Sequence, residues 1–241
     1  MNCKVVREGR LLRLTLARPD KRNALDRSLC EAIVETVEAA HPEDIGSVFL
    51  DAEGPSFCAG MDLGDSLKQN AAELAALHDR LFTLGQRARV PVVAFVQGHA
   101  LAGGMGLAAN AHLVVAAEDA KFGLPELRVA MWPFVIFRAI EAAIGPRRAL
   151  AWTLTAETFS AADAREAGLV HRIGTHELAL SLARELAGRL PDAIRLGMEC
   201  YRQTRAPGVD AAAVAQRLRV ELMASPGYAD AVRQFQEKKK T

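Results

Sequence analysis

The sequence predicts an α/β domain with a largely parallel sheet, followed by a helical C-terminal region. Over about the first half of the chain, short apolar β-prone runs alternate with amphipathic helical segments, a pattern typical of strands joined by helical crossovers. From about Pro133 onward, strand-like runs almost vanish and helical patterns follow one another. We therefore expect an α/β core over residues 1–190 and a helical region over residues 191–241, both parts of one functional unit.

The composition is ordinary for a soluble globular protein. Of the 241 residues, 50% are hydrophobic and 24% are charged, and the net charge is +1, which argues against a nucleic-acid or membrane surface as the main partner. The four cysteines stand singly, without CxxC or clustered Cys/His spacing, so we expect no structural zinc and a reducing compartment. The chain shows no secretory signal pattern and no apolar run of membrane-spanning length. The expectation is a cytoplasmic enzyme or binding domain.

The first half of the chain gives one strand–turn–helix unit in clear form. Residues 11–17 alternate as a strand does, and Arg18-Pro19-Asp20 breaks the pattern. The helix that follows has Asp26 as its N-cap and Leu29 and Ile33 on one apolar face. The further predicted elements of this half are strands at 45–50, 91–96 and 113–117 and a helix at 71–89.

A glycine-rich junction, QGHALAGGMGLAAN over residues 97–110, connects the third predicted strand to a helix. Gly103 and Gly104 lie at the junction, where the missing Cβ lets a backbone N–H approach a ligand closely. A helix N-terminus adds unpaired N–H groups and a positive dipole end, which suit developing negative charge. Tight packing of a buried helix on a sheet would explain the same glycines, and the stretch alone favours that interpretation.

The second half of the chain is predicted to be helical apart from one strand, at residues 169–173. The predicted helices cover residues 134–144, 147–155, 161–167, 176–189 and 192–204, and a last one runs from 210 towards 240. The closing run of three lysines is typical of a solvated helix end.

Several separated motifs together are far more specific than any one of them. They are RPDKRNALD (18–26), FCAGMDL (57–63), GHALAGGMGLAA (98–109), AKFGLPELRVAMWP (120–133), EAGLVHRI (166–173) and AVRQFQEKKK (231–240). In this order and spacing they resemble the enoyl-CoA hydratase/isomerase family, also called the crotonase family, over essentially the whole chain. The resemblance implies a spiral of ββα units with a helical trimerisation region, an acyl-CoA thioester substrate, a homotrimer or hexamer, and no metal or redox cofactor.

The resemblance also implies how the chain would stabilise an enolate. Its oxyanion donors would be the backbone N–H groups of Met61 and Gly103. Deprotonation of carbon 2 of a thioester places negative charge on the carbonyl oxygen, and one fixed donor in a dry site is typically worth ~3 kcal/mol.

Glu126, in FGLPEL, is the catalytic carboxylate that the resemblance implies. Apolar residues surround it in sequence, among them Phe122, Leu124, Met131 and Phe134. A carboxyl in apolar surroundings has a raised pKa and can both take and return a proton. Without the resemblance, an exposed loop glutamate would be the default interpretation.

Gly106 marks a departure from the family's hydratases, which carry a second glutamate at the matching position. A single carboxylate favours a double-bond isomerase, because moving one proton needs one shuttle. Asp62 and Asp65 follow the first oxyanion donor and are candidates to replace the missing acid, so hydration remains an alternative. A non-catalytic acyl-CoA-binding protein is a third. The bulky segment WPFVIFRAI, residues 132–140, replaces a glycine-rich stretch, and we expect it to shape a different acyl pocket.

The resemblance assigns a further set of residues to coenzyme A. Arg22 matches a position that meets the nucleotide phosphates, and Cys58 and Ala59 would line the adenine through backbone groups. Asp62 is assigned to the substrate side of this site. Lys239 matches a tail residue that reaches CoA, in some members from a neighbouring subunit.

Overall fold

The computed structural model of the protein describes residues 2–66 and 70–238. The strands are β1 (Cys3–Glu8), β2 (Leu11–Leu16), β3 (Ser47–Ala52), β4 (Val92–Val96), β5 (His99–Leu101), β6 (Leu113–Ala116), β7 (Lys121–Gly123), β8 (Thr158–Ser160) and β9 (Arg172–Ile173). The helices are α1 (Arg27–Ala39), α2 (Leu63–Ser66), α3 (Ala71–Phe82), α4 (Leu84–Arg87), α5 (Gly103–Asn110), α6 (Phe134–Ile144), α7 (Pro146–Thr155), α8 (Ala161–Ala167), α9 (His176–Ala187), α10 (Pro191–Gln203), α11 (Ala211–Ala224) and α12 (Pro226–Lys238). Two 3₁₀ turns cover Pro19–Lys21 and Pro125–Val129. None of the described helices combines the length and the hydropathy that a membrane-spanning segment requires.

The larger sheet has the strand order β1-β2-β3-β4-β6-β9. Only β1 and β2 pair antiparallel, and the other neighbours are parallel, as the α/β prediction requires. Side chains alternate between the two faces of each strand. In β3, Val48 and Leu50 join the main core, while Phe49 joins a second cluster covered by α9. Both faces are therefore buried, as is usual for parallel strands.

A second sheet of three short strands, β5-β7-β8, positions the candidate site. Strand β5 pairs parallel with β7, with Leu101 opposite Gly123. Gly103 follows β5 and Glu126 follows β7, so this pairing brings the two predicted catalytic segments side by side. Each strand has only three residues, too few to show a period, which is why the sequence pattern did not predict them.

Most of the predicted helices are present, but two of them are each divided into two shorter helices. Asp26 caps α1 as predicted, accepting from the N–H of Leu29 at 2.8 Å. The single helix predicted over 71–89 divides at Thr83 into α3 and α4. The last predicted helix divides at Ser225-Pro226 into α11 and α12, because proline cannot supply an interior helical N–H and restricts the residue before it.

The edge strand β1 was not predicted from sequence. Four of its six residues are exposed, including Val5 and Val6, so it lacks the alternation that marks a half-buried strand. In the C-terminal region, α10 packs against α4 and α11. The division at residue 190 stays a prediction.

Candidate active site

A strand-to-helix junction positions Gly103. Strand β5 ends at Leu101 and α5 begins at Gly103. Between them, Ala102 has φ 50°, a value that non-glycine residues rarely adopt, and its N–H donates to the carbonyl of Gly123 at 2.9 Å. The first N–H groups of a helix have no acceptor within it, and the dipole is positive there. Gly103 therefore presents its N–H at the positive end of α5.

The segment around Cys58 is paired with β5. The N–H of Cys58 donates to the carbonyl of His99 at 2.9 Å, and the N–H of Leu101 donates to the carbonyl of Cys58 at 3.0 Å. The paired segment lies very close to α5. A Cβ added at Gly104 would lie only 2.2 Å from the carbonyl oxygen of Cys58. The close approach explains the second glycine of the junction.

Met61 lies on the same paired segment, next to the start of α5. A Cβ added at Gly60 would lie 3.4 Å from the amide nitrogen of Gly103. The N–H of Leu25 donates to the carbonyl of Gly60 at 2.8 Å, and the N–H of Asp62 donates to the carbonyl of Leu25 at 3.0 Å. These two hydrogen bonds form an isolated parallel bridge between Leu25 and Met61. The two predicted donors thus lie on adjacent segments.

Glu126 is the second residue of a 3₁₀ turn and is only 9% exposed. Its Oε2 is buried and has no hydrogen-bond partner among the described residues. Burial raises the pKa of the carboxyl. Of the apolar neighbours in sequence, Phe122 and Leu124 are buried, but Met131 and Phe134 are exposed. The apolar setting expected for Glu126 therefore does not come from all of its chain neighbours.

We expect Glu126→Gln to make the protein more stable at neutral pH. Because the folded state raises the pKa of this carboxyl above its unfolded value, it binds the proton more tightly, and stability is lost as the pH rises through the folded pKa. Glutamine stays neutral and avoids this loss. Urea unfolding should show the variant more stable at about pH 7 and the two proteins equal at about pH 3, where the carboxyl is protonated in both states. If the variant and the wild type were equally stable at both pH values, the raised pKa of Glu126 would be contradicted.

Apolar side chains fill the space beside Gly106. A Cβ added there would lie 2.5 Å from Cγ2 of Ile136 and 3.0 Å from Cδ1 of Phe82. Residues 132–140 were expected to shape an acyl pocket. In the structure this segment begins α6 and turns Ile136 onto Gly106, while Phe134 is 76% exposed.

Asp62 and Asp65 both have structural partners. Asp62 Oδ2 accepts from Nη2 of Arg18 at 3.1 Å, and this hydrogen bond is the main cause of a lowered pKa. Asp65 Oδ2 accepts from the N–H of Arg27, the first residue of α1, at 3.0 Å. A carboxylate with a lowered pKa is a poor base, so Asp62 is a weak candidate for the missing second acid. Its contact with substrate stays a prediction.

The structure brings some of the predicted CoA residues together. Arg22 is exposed, and its carbonyl accepts from the N–H of Ala59 at 3.0 Å. Cys58 is fully buried, and burial raises the pKa of its thiol to about 12. Both backbone groups of Cys58 are already paired, which argues against a direct adenine contact. Lys239 lies outside the described residues, and its assignment stays a prediction.

Asn23 and His78 were not singled out from the sequence. Asn23 is fully buried at φ 54°, and its amide donates to the carbonyls of Glu53 and Ser56 at 2.9 and 2.8 Å. It thereby fixes the loop that carries Arg22. An asparagine in a turn-like RPDKRN segment is the signal that identifies it, because asparagine tolerates left-handed backbone.

His78 lies in α3 and is 9% exposed. Its Nε2 is buried without a hydrogen-bond partner in the described part of the chain, and burial lowers its pKa. The His78 ring lies 6.1 Å from the ring of Phe82, and Phe82 in turn packs on α5. Nothing in the local sequence marks this histidine, since a lone histidine on an apolar helix face is typical of a core.

Comparisons with known proteins agree with the geometry. Residues 7–241 match the family described as enoyl-CoA hydratase/isomerase. The 2,3-dehydroadipyl-CoA hydratase of Escherichia coli (strain K12) is 34% identical over 229 residues, covering 92% of this chain and 89% of that protein. The mevalonyl-coenzyme A hydratase of Aspergillus fumigatus is 32% identical over 254 residues, covering 95% and 90%.

The fold is also that of solved relatives. An enoyl-CoA hydratase from Mycobacterium smegmatis superposes with a TM-score of 0.90 at 29% identity, covering 99% of this chain and 97% of that one. The predicted crotonase fold is thereby confirmed. With a family match that spans nearly the whole chain, the protein belongs to the enoyl-CoA hydratase/isomerase family.

Proposed function

We propose that the protein moves the double bond of a 3-enoyl-CoA thioester to position 2. The observation that carries the proposal is Glu126, a buried carboxyl with a raised pKa whose Oε2 has no hydrogen-bond partner within residues 2–66 and 70–238. Such a group is suited to take a proton and to return it. It follows β7, which pairs with the strand that leads into Gly103.

In the proposed reaction, Glu126 removes a proton from carbon 2. Negative charge develops on the thioester oxygen, where the N–H groups of Met61 and Gly103 stabilise it. Carbon 4 then takes the proton from Glu126 as the double bond forms between carbons 2 and 3. The proton is returned and no electrons are lost, so the proposal calls for no redox cofactor and no metal.

Gly106 supports isomerisation over hydration. Glycine carries no acid–base group, and the space beside it is filled by Ile136 and Phe82. Asp62 is held by Arg18 with a lowered pKa, so it is a poor replacement.

The test is to supply 3-enoyl and 2-enoyl thioesters separately and to identify the products. Conversion of the 3-enoyl thioester to the 2-enoyl thioester, without 3-hydroxyacyl product, supports the proposal. Efficient formation of 3-hydroxyacyl product from the 2-enoyl thioester would favour a hydratase. Binding of both thioesters without turnover would indicate a non-catalytic acyl-CoA-binding protein.

Hydration is the second candidate function, and two observations favour it. The similar proteins from Escherichia coli and Aspergillus fumigatus are named hydratases. In addition, His78 lies in the layer that covers α5, and its buried Nε2 has no hydrogen-bond partner in the part of the chain that the structure describes. If His78 is the second acid–base group of a hydratase, His78→Phe should abolish hydration; unchanged hydration would remove it from this role.

Arg22→Ala is expected to raise KM for CoA thioesters more than it lowers kcat. Arg22 is exposed beside Ala59, which it holds through its backbone carbonyl, so the substitution removes the guanidinium and leaves that hydrogen bond. An exposed phosphate contact is sensitive to salt, so the loss should shrink at high ionic strength. Arg147→Ala, at another exposed arginine, is the control. An unchanged KM would reject the phosphate assignment.

The protein is expected to be a trimer or a dimer of trimers in solution. Helix α11 exposes Val220 and Met223, at 62% and 51%, and such apolar groups are commonly covered in an assembly. Light scattering at micromolar concentration should give three or six times the monomer mass of 26.0 kDa. A stable monomer would contradict this expectation.

A further inference from the structure

Two buried side chains, Ile136 and Phe82, cover the Gly106 end of one face of α5. Gly103 and Gly106 are three residues apart and so lie on the same helix face. A Cβ added at Gly106 would lie 2.5 Å from Cγ2 and 3.0 Å from Cβ of Ile136, and 3.0 Å from Cδ1 of Phe82. Each of the two covering side chains is only 2% exposed.

The same phenyl ring reaches the proposed oxyanion donor. A Cβ added at Gly103 would lie 3.1 Å from Cδ1 of Leu25 and 3.2 Å from Cζ of Phe82. Phe82 therefore spans the face from Gly103 to Gly106, with Ile136 closing the Gly106 end. Phe82 and Ile136 together thus extend from Gly103, the proposed oxyanion donor, to Gly106, the position where a second acid–base group would stand.

Ile136 reaches this place through the segment that carries Glu126. The 3₁₀ turn holding Glu126 ends at Val129, and α6 begins at Phe134. Ile136 lies in the first turn of α6, whereas Phe82 comes from the end of α3. Apolar side chains from two helices that are remote in sequence, α3 and α6, therefore meet beside Gly106.

We propose that Ile136 and Phe82 form an apolar plug that keeps water from carbon 3 of the substrate, and that Ile136 determines the reaction specificity. This inference rests on the proposed isomerase function. Hydration requires a water oxygen to bond to carbon 3 while a proton is added at carbon 2. Hydration would act on the 2-enoyl thioester, which forms once carbon 4 has taken the proton from Glu126. With the space beside Gly106 filled, no water reaches carbon 3, and the reaction stops at the 2-enoyl thioester.

The first experiment measures the plug without using activity. Gly106→Ala should lower Tm by about 5 °C in the wild type, because overpacking costs stability. In the Ile136→Ala background, Gly106→Ala should lower Tm by much less, because the clashing methyl groups are gone. Ile144→Ala, two turns further along α6 and also buried, is the matched control and should leave the cost unchanged. An equal decrease in Tm in all three backgrounds would overturn the proposal that Ile136 is part of a plug.

The second experiment measures product partition. Ile136→Ala should yield 3-hydroxyacyl product, and the double variant Gly106→Glu/Ile136→Ala should raise the ratio of hydration to isomerisation about 100-fold, the lower end of the effect of a positioned acid–base group. Gly106→Ser/Ile136→Ala is the uncharged alternative, with the same direction expected. If these variants retain isomerisation with an unchanged ratio, Ile136 does not determine specificity. If the wild type itself does not isomerise 3-enoyl thioesters, the proposed function fails instead.

Discussion

Glu126→Gln is expected to abolish isomerisation of 3-enoyl thioesters while thioester binding stays nearly intact. Glutamine keeps the shape of the side chain but cannot accept the proton from carbon 2. A general acid–base group typically contributes ~10²–10⁴-fold, and loss of the sole base should reach or exceed the top of that range. Glu118→Gln, at an exposed glutamate, should change neither quantity.

The pH profile of the wild-type enzyme gives an independent measurement of the same group. Because burial raises the pKa of Glu126 above the ordinary value of a glutamate, kcat/KM should fall at acidic pH with a midpoint above that ordinary value, as the base becomes protonated.

If Asp62→Asn abolished turnover while Glu126→Gln did not, the assignment of Glu126 as the proton shuttle would be wrong.

Gly104→Ala is expected to lower the free energy of unfolding by about 3 kcal/mol, at the upper end of overpacking costs. The added Cβ would lie 2.2 Å from the carbonyl oxygen and 2.9 Å from the carbonyl carbon of Cys58, and backbone cannot yield as a flexible side chain can. The clash would also push the segment bearing Met61 away from α5, and a shift of about 1 Å in a site can cost ~10²-fold in rate.

Gly197→Ala is the matched control for this change. Gly197 also lies inside a helix, α10, but a Cβ added there meets nothing within 4 Å. Helix propensity alone favours alanine over glycine by about 1 kcal/mol, so this control should be stabilised. Urea unfolding should therefore show stability changes of opposite sign in the two variants, and only Gly104→Ala should lower kcat. Equal stability of the two would show that Gly104 is not required for close packing.

Local sequence patterns predicted most of the longer helices and strands, but not the exposed edge strand β1. Helix α6 occupies residues 134–144 as expected, and Asp26 caps α1. These features depend on side-chain periodicity and on capping groups, which neighbouring residues carry. The strands β5 and β7 depend instead on pairing between segments about 20 residues apart, and three residues hold no period.

The motifs likewise identified Glu126, Met61 and Gly103 as candidates, because the residues that carry chemistry stand within short recognisable segments. They could not give the burial of Glu126 Oε2, the pairing of Asp62 with Arg18 across 44 positions, or the filling of the space at Gly106 by Ile136. Each of these depends on which distant segment meets the site. That meeting is set by the path of the whole chain, and only the tertiary structure fixes it.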